Sequence, residues 1–322
     1  MPPTQGPDLD RPLVLVGPLR SGTTFLGLML RHHPLIHHFG EFEEGFDLVE
    51  NVNEGWPTGD AYRDWLSTFR VFRERGQTAT PRLDYPDQVR DLAKQMAAKA
   101  TPEQRVLGFT VHTGLHRVVD IWPNARFIHL LRDPRDVARS CIGMGWVGHV
   151  YYGTDYWLGP EQRWDRLRAK LRDDQFVEVR YEDIVVDAET QLRKICDLAE
   201  IDYDPAMLRY DSSTTYSKPD PSLAEQWKRK QTKREVQLAE HRLGPMLEDR
   251  GYTNSGFGPH TPGALENLRL LLTHRRKRLA FSINRYGFLL WTEWKLSRLL
   301  PITGYRKSVQ LRVNRVAQRH LK

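Results

Sequence analysis

Residues 13–30, LVLVGPLRSGTTFLGLML, decide how the rest of the chain is interpreted. The four apolar residues at 13–16 predict a short buried strand, and the apolar residues after Thr24 predict the first turns of a helix. The turn between them has a glycine at each end, Gly17 and Gly22. A strand, a glycine turn and a helix N-terminus form an anion site, because free backbone N–H groups and the positive end of the helix dipole converge there.

This turn has the P-loop spacing G-x-x-x-x-G, but Thr23 stands where the P-loop lysine should follow the second glycine. In a P-loop, that lysine reaches the β- and γ-phosphates of a nucleoside triphosphate. The only cation of the present turn is Arg20. We therefore expect a site for one tetrahedral anion at the 5′ end of a nucleotide. The alternative is an ordinary turn in which a threonine caps the helix. The residues expected around the anion are Arg20, Ser21, Gly22, Thr23 and Thr24.

The length and composition suit an α/β domain with an appendage in a reducing compartment. The chain has 322 residues, and no run of eighteen or more is apolar throughout. Its polar, proline-rich N-terminus lacks the apolar core of a secretion signal. Cys141 and Cys196 are too few for a disulfide framework and are expected to be buried thiols. We therefore expect a cytoplasmic protein.

The net charge of +7 is distributed unevenly along the chain. Residues 259–322 contain ten Arg, four Lys and two Glu, a net charge of +12, whereas residues 1–258 carry a net charge of −5. A basic surface that binds an acidic partner is therefore expected in the C-terminal part alone. We divide the chain into a disordered N-terminus at 1–11, a catalytic domain at 12–258 and a basic, mainly helical extension at 259–322.

The order of apolar segments predicts an α/β fold with a P-loop-like central parallel sheet flanked by helices. Further strands are predicted at 106–110, 127–131 and 176–179, each followed by a helical pattern. Ligands of such sheets bind at the carboxyl ends of the strands. Arg20, Arg132 and Tyr181 each follow a strand directly, so we expect them to face one crevice.

Two other segments carry less regular patterns. Residues 143–160 are rich in glycine and aromatics and predict a long irregular loop, which either lines a substrate cleft or packs on itself. Residues 32–38 contain four histidines around Pro34, which stops the first helix. No cysteine or compact acidic ligand set accompanies these histidines, so we expect no metal site. A further loop is predicted at 211–222.

Two motifs now point to a family. LRSGTT after one strand and RDPRDVARS after another together resemble the nucleotide-binding motifs of the PAPS-dependent sulfotransferases, where PAPS is 3′-phosphoadenosine-5′-phosphosulfate. The first motif resembles their 5′-phosphosulfate loop, with Arg20 where many members carry lysine. The second resembles their 3′-phosphate motif, which implies that Arg132 and Ser140 contact the 3′-phosphate. The resemblance spans about residues 12–252 and includes the segment 179–201, in which Tyr181 is an expected nucleotide contact.

The chemistry of this donor agrees with the residues. PAPS carries two separated anionic groups, so its recognition needs two anion sites on neighbouring strands. Arg20 and the loop N–H groups would stabilise the charge on the leaving phosphate oxygen. The resemblance implies transfer of a sulfuryl group to a hydroxyl of a glycan, glycolipid or lipid alcohol, with adenosine 3′,5′-bisphosphate as product and no metal required.

The general base has two candidates. In the branch with tyrosylprotein and many bacterial sulfotransferases, a glutamate follows a His-Pro pair and a glycine. The His-Pro pair at 33–34 and the glycine before Glu41 match this pattern and imply that Glu41 is the base. In the cytosolic branch a histidine after the second strand acts instead, and His112 lies near that place. The glutamate branch often has a lysine two residues after the glycine of this strand, but here Thr110 follows Gly108.

The extension predicts an amphipathic helix within residues 264–300. Leu279, Ile283, Tyr286 and Leu290 form a helical stripe beside the basic cluster at 275–278. One interpretation is peripheral contact with a membrane surface, and the other is packing on the domain or on a second subunit in a homodimer. We expect no nucleic-acid partner, because no nucleic-acid recognition motif accompanies the basic residues.

Two other functions of the protein stay open, a P-loop phosphotransferase and a non-catalytic membrane-binding scaffold.

Overall fold

Residues 6–52, 54–213, 220–300 and 302–318 are described by the computed structural model of the chain. Residues 1–5 of the expected disordered N-terminus and 214–219 of the expected loop lie outside the described residues. The strands are Asp8–Val16 (β1), Ile36–Glu41 (β2), Val106–Val111 (β3), Arg126–Leu131 (β4) and Phe176–Arg180 (β5). The first nine α-helices are Thr23–Arg31 (α1), Glu43–Phe46 (α2), Gly59–Leu66 (α3), Arg70–Glu74 (α4), Tyr85–Ala97 (α5), Val118–Ile121 (α6), Pro134–Gly143 (α7), Val150–Gly153 (α8) and Asp155–Arg168 (α9). The others are Tyr181–Val186 (α10), Ala188–Ala199 (α11), Trp227–Lys230 (α12), Lys233–Leu243 (α13), Met246–Asp249 (α14), Ala264–Tyr286 (α15), Phe288–Ser297 (α16) and Thr303–Gln318 (α17).

The five strands form one parallel sheet in the order β2-β3-β1-β4-β5. The first strand lies at its centre, where Leu13 pairs with Gly108 of β3 and with Arg126 of β4. This arrangement confirms the predicted α/β class with a central parallel sheet flanked by helices. β1 begins at Asp8, inside the segment that the sequence assigns to the disordered N-terminus.

Helices cover both faces of the sheet, which explains why 13–16 is apolar without alternation. Val14 and Val16 lie in a core cluster with residues of α5, including Leu92. Leu13 and Leu15 point to the other face and pack with α1 and α11. The two clusters fix β1 from both sides and hold the loop that follows it.

The histidine segment forms strand β2, which the sequence did not predict. The strand pairs in parallel with β3, with His37 opposite Leu107. His37 donates from Nε2 to Met96 O at 2.9 Å, and His33 donates to Asp202 O at 2.8 Å. These histidines therefore donate hydrogen bonds to backbone carbonyl groups of other segments of the chain. In the part of the chain that the structure describes, no three His, Cys, Asp or Glu residues are grouped to hold a metal ion.

The prediction of an irregular loop over 143–160 is wrong for most of its length, because helices α8 and α9 occupy residues 150–168. Their aromatic residues pack inward. Trp157 is fully buried and donates from Nε1 to Arg132 O at 3.0 Å. A Cβ at Gly153 would lie 2.5 Å from Ala138 O, so this glycine permits the close approach of α8 to α7. Tertiary packing therefore overrides the weak local helical signal.

The C-terminal extension folds as three helices that pack on the domain. The ring of His274 of α15 packs against that of Tyr152, with centroids 4.3 Å apart and the two planes inclined by 42°. Lys307 of α17 forms an ion pair with Asp64, and Asn314 donates to Thr68 O at 3.0 Å. Among the described residues, no helix is long and apolar enough to cross a membrane.

Candidate active site

All five strands deliver an expected site residue or loop to one edge of the sheet. Since the strands are parallel, their carboxyl ends meet at the same edge, where ligands of such sheets bind. β1 leads into the loop 17–22, β2 ends at Glu41, and His112, Arg132 and Tyr181 directly follow β3, β4 and β5. The structure therefore gathers every strand-end residue that the sequence singled out.

The loop after β1 presents free donors. Gly22 is the N-cap of α1, and its φ of 99° lies in the left-handed region that favours glycine. A Cβ at this position would lie 2.5 Å from the ring of Tyr181. The first N–H groups of α1 have no partner within the helix. The hydroxyl of Ser21 is buried and has no hydrogen-bond partner in the described part of the chain. Such orphaned donors fit a bound anion.

The second motif lies directly beside this loop. Arg20 donates from Nε to Ser140 Oγ at 3.0 Å, and Arg132 donates to Arg20 O at 3.1 Å. The guanidinium of Arg132 lies over the ring of Tyr181, 4.2 Å from its centroid. The Nε atom of Arg132 is buried and has no hydrogen-bond partner among the described residues. These four side chains could thus surround two phosphate groups of one nucleotide.

Glu41 and His112 form a pair next to the loop. Nε2 of His112 lies 3.5 Å from Oε1 of Glu41 and 3.4 Å from the hydroxyl of Thr23. Nδ1 of His112 donates to Gly17 O at 2.9 Å, so both ring nitrogens are engaged. The side chain of His112 is 5% exposed, whereas that of Glu41 is 40% exposed. Glu41 is therefore the member of the pair that a second substrate can reach.

The charges of this pair stabilise each other. The hydrogen bond from His112 lowers the pKa of Glu41 to about 2, against the effect of burial. Burial opposes the charged form of His112, but its hydrogen bond and attraction to Glu41 outweigh burial and raise its pKa. Below that raised pKa the pair is an imidazolium and a carboxylate.

Neighbouring carboxyl groups behave differently. Burial, together with the charges of Asp47 and Glu41, raises the pKa of Glu43 to about 8. Burial likewise raises the pKa of Asp47 to about 6, although Thr113 donates a hydrogen bond to it. Glu43 is thus a neutral acid near pH 7, and Glu41 is the carboxyl of the three that ionises most readily.

Arg75 fixes the backbone that carries Glu41, and the sequence analysis missed it. One of its nitrogens, Nη2, donates to Glu41 O at 2.6 Å and to Phe39 O at 3.3 Å. The other, Nη1, pairs with the buried carboxylate of Glu44. Arg75 comes 34 residues after Glu41 and belongs to no motif, so no local pattern marks it.

Two cavities open beside Glu41 and Glu43. One, of about 380 Å³, lies between α1, β2 and α4 and includes Thr24, Glu41 and Arg31 in its wall. The other, of about 570 Å³, lies between α3, α4 and α17. Glu43 lines both cavities, together with Arg70 and Val71. The two cavities therefore adjoin each other, and Glu41 lines the smaller one.

Thr110 occupies the position where a lysine was expected from the glutamate branch. Its hydroxyl lies 3.3 Å from Nε2 of His38, which is buried. Arg31, Arg70 and Arg75 line the same cavity as Thr110 and Glu41. Cations are therefore present beside Glu41, although the residue at this position of the strand is a threonine.

Comparisons with known proteins agree with this geometry. A family model described as "Sulfotransferase family" matches residues 12–205. The "Protein-tyrosine sulfotransferase" of Drosophila melanogaster is 23% identical over 213 residues, which are 63% of this chain and 40% of that protein. An uncharacterized protein of Aquifex aeolicus (strain VF5) is 24% identical over 226 residues, 64% of this chain and 28% of that protein. The chain thus spans less than half the length of these two curated relatives.

A solved structure shares the fold. The sulfotransferase domain from the Synechococcus PCC 7002 olefin synthase superposes with a TM-score of 0.52 at 22% identity, over 73% of this chain and 96% of that domain. The family match covers more than half of the chain and contains all the strand-end residues described above. The chain belongs to the sulfotransferase family.

Proposed function

We propose that the protein transfers a sulfuryl group from PAPS to a hydroxyl group of a second substrate. The observation that carries the proposal is the position of Thr23, whose hydroxyl lies 3.4 Å from Nε2 of His112. Because His112 also contacts Glu41, the anion-binding loop and the carboxylate are separated by one imidazole ring. A donor in the loop and an acceptor at the carboxylate would therefore meet.

Each part of the donor has matching residues. The N–H groups at the start of α1, the orphaned hydroxyl of Ser21 and the side chain of Arg20 suit the 5′-phosphosulfate. Arg132 and Ser140 suit the 3′-phosphate, since a guanidinium offers several donors to a phosphate monoester. This assignment also accounts for the unpaired Nε of Arg132.

Transfer of the sulfuryl group then requires little covalent participation by the protein. The acceptor oxygen forms a bond to sulfur while the bond between sulfur and the bridging phosphate oxygen breaks. The electron pair of the broken bond stays on the phosphate, where Arg20 and the loop N–H groups stabilise it. The proton of the acceptor hydroxyl passes to Glu41. No step requires a metal ion, so we expect turnover to persist in the presence of EDTA.

Glu41 is proposed as the base and His112 as the residue that positions it. Both nitrogens of His112 already face other groups, and its ring is buried. When Nε2 is unprotonated, it can accept a hydrogen bond from Glu41 once that carboxylate has taken up the acceptor proton. The hydrogen bond between protonated Glu41 and His112 compensates for the low basicity of an isolated carboxylate.

The acceptor would enter through the cavities beside Glu43. Trp65 and Phe69 in the wall of the larger cavity stack with ring centroids 4.1 Å apart. Such a flat aromatic surface suits a sugar ring or an apolar chain. This supports a glycan, a glycolipid or a lipid alcohol as acceptor.

The proposal is tested by incubating the full-length protein with sulfur-labelled PAPS and an extract of hydroxyl-bearing lipids and glycans. We expect labelled products that mass spectrometry assigns as sulfate esters, with and without EDTA. The Glu41→Gln variant, which keeps the shape of the side chain, serves as the matched control and should form none. Label transfer from the γ-phosphate of ATP, without any from PAPS, would instead identify a phosphotransferase.

A further inference from the structure

The exposed apolar side chains of the protein are concentrated in the C-terminal extension. Of the 13 large hydrophobic residues that are exposed in the described part of the chain, 10 lie between residues 265 and 302. We call these ten residues the leucine face. They are Leu265, Leu268, Leu272, Leu279, Phe288, Leu289, Leu296, Leu299, Leu300 and Ile302. A concentration of exposed apolar side chains in one segment is typical of an interaction site.

Helix α15 places its part of this face away from the domain. Its opposite side docks on the segment after α7, where His274 accepts a hydrogen bond from Gly148 N at 3.2 Å and Phe281 packs against Gly145. With about 100° of rotation per residue, the four leucines of α15 fall within an arc of about 60° on the other side. The helix therefore has one side that packs on the domain and an opposite apolar side that is left open.

Positive charge flanks the open side. Arg275 and Arg276 are exposed next to the leucines of α15. The only two acidic residues of 259–322 are already paired, Glu266 with Arg234 and Glu293 with Arg312. Lys307 is paired with Asp64, but the exposed cations at 275–278 form no ion pair within the described residues and are therefore available to an anionic surface.

Helix α16 also combines exposed apolar side chains with aromatic and basic ones. Leu289 is 82% exposed, and the guanidinium of Arg298 lies 4.5 Å from the ring centroid of Trp294. Leucines, aromatics and cations on helices that lie flat against a domain are typical of proteins that bind at the lipid headgroup region.

We propose that the leucine face docks on the surface of an anionic lipid bilayer. The leucines would enter the boundary between headgroups and acyl chains, and the flanking arginines would bind lipid phosphates. A second copy of the chain is a poor occupant, because the exposed cations at 275–278 of the two copies would repel each other. A nucleic acid would leave the apolar side chains in water.

Vesicle flotation with the full-length protein tests this proposal. We expect the protein to float with vesicles of phosphatidylcholine and phosphatidylglycerol in equal parts, and much less with phosphatidylcholine alone. Addition of about 1 M NaCl, where the Debye length is about 3 Å, should weaken the binding. The Leu268→Gln/Leu272→Gln variant should lose flotation, whereas Val186→Gln, which changes a residue of α10 that is 75% exposed, should keep it.

Charge reversal provides an independent arm. The Arg275→Glu/Arg276→Glu variant should bind the anionic vesicles more than about tenfold more weakly. The control Lys94→Glu/Arg105→Glu changes two exposed cations of the domain and should bind like the unchanged protein. Circular dichroism melting confirms that each variant is folded.

Three outcomes would overturn the proposal. The first is that the unchanged protein fails to float with anionic vesicles, and the second is that the Leu268→Gln/Leu272→Gln variant floats as well as the unchanged protein. The third is a dimer in sedimentation velocity that this variant dissociates, since that result assigns the face to a second copy of the chain.

Discussion

Nε2 of His112 lies 3.5 Å from Oε1 of Glu41, and the two residues come from neighbouring strands of the sheet. Glu41 closes β2, and His112 directly follows β3. Because the strands are parallel, their ends bring together two residues that are 71 positions apart in the sequence. The pair combines an accessible carboxylate with a buried imidazole, and its chemistry decides the first two predictions.

The two glutamates beside the cavities should respond differently to the same substitution. Glu41→Gln removes the carboxylate that we propose as the acceptor of the proton, and we expect kcat to fall by at least about 10²-fold. Glu43→Gln should have little effect near pH 7, because the raised pKa of Glu43, about 8, makes it a neutral acid that glutamine imitates. Kinetics with labelled PAPS measures both. A larger loss for Glu43→Gln than for Glu41→Gln would move the base to Glu43.

The pH profile should report the titration of the pair. The pKa of His112 lies above its ordinary value of 6.5, because its attraction to Glu41 outweighs burial. While His112 is protonated, the pair already holds the proton that it must accept, so kcat/KM should rise as the pH passes that raised pKa. In His112→Asn this acid limb should move to lower pH.

A second histidine provides the control for that profile. Burial lowers the pKa of His116 to about 4, so His116→Asn should leave the profile above pH 6 unchanged. An acid limb that stays in place in His112→Asn would show that another group controls it.

Arg132 should distinguish nucleotides by their 3′-phosphate. A hydrogen bond to a charged group contributes about 1.5–3 kcal/mol, so Arg132→Ala should weaken binding of adenosine 3′,5′-bisphosphate by roughly 10- to 100-fold. Binding of adenosine 5′-phosphosulfate, which has no 3′-phosphate, should change much less. Titration calorimetry measures both, with Arg139→Ala in the following helix α7 as control. Equal losses for the two nucleotides would assign Arg132 a structural role through its bond to Arg20 O.

Gly22 should tolerate no side chain. An alanine there would adopt a left-handed φ of 99° and place its Cβ 2.5 Å from the ring of Tyr181. We expect Gly22→Ala to destabilise the fold by about 1–3 kcal/mol and to lower nucleotide affinity. Gly143→Ala, in a helix with no atom within 4 Å of the added Cβ, should be neutral or stabilising. Thermal unfolding of both variants, with and without nucleotide, measures these effects.

The sheet could be predicted where its strands are apolar. Residues 13–16, 127–131 and their helices carry hydrophobic periodicity, which is a local signal. Strand β2 contains His37 and His38 in place of an apolar run, and its stability comes from pairing with β3 and from carbonyl contacts. Helix α8 and the part of α9 before residue 160 were hidden by glycines and aromatics whose packing depends on α7. Such tertiary determinants leave no periodic pattern in the sequence.

The strand-end residues of the candidate site could be named from the sequence, but their geometry could not be predicted. The order of the motifs placed Arg20 and Arg132 at neighbouring strand ends, and the structure joins them through the carbonyl of Arg20. The sequence offered Glu41 and His112 as alternatives, because nothing local shows that β2 lies beside β3. The clamp by Arg75 depends on a contact between distant segments and could not be inferred.

The central claim is that two adjacent anion sites hold one nucleotide with a 3′-phosphate. Isothermal titration of the full-length protein with adenosine 3′,5′-bisphosphate, and separately with ATP and Mg²⁺, tests it most directly. We predict saturable, one-to-one binding of the bisphosphate that Arg20→Ala and Arg132→Ala each weaken, and no comparable binding of ATP. Tight binding of ATP with Mg²⁺ and none of the bisphosphate would contradict the account.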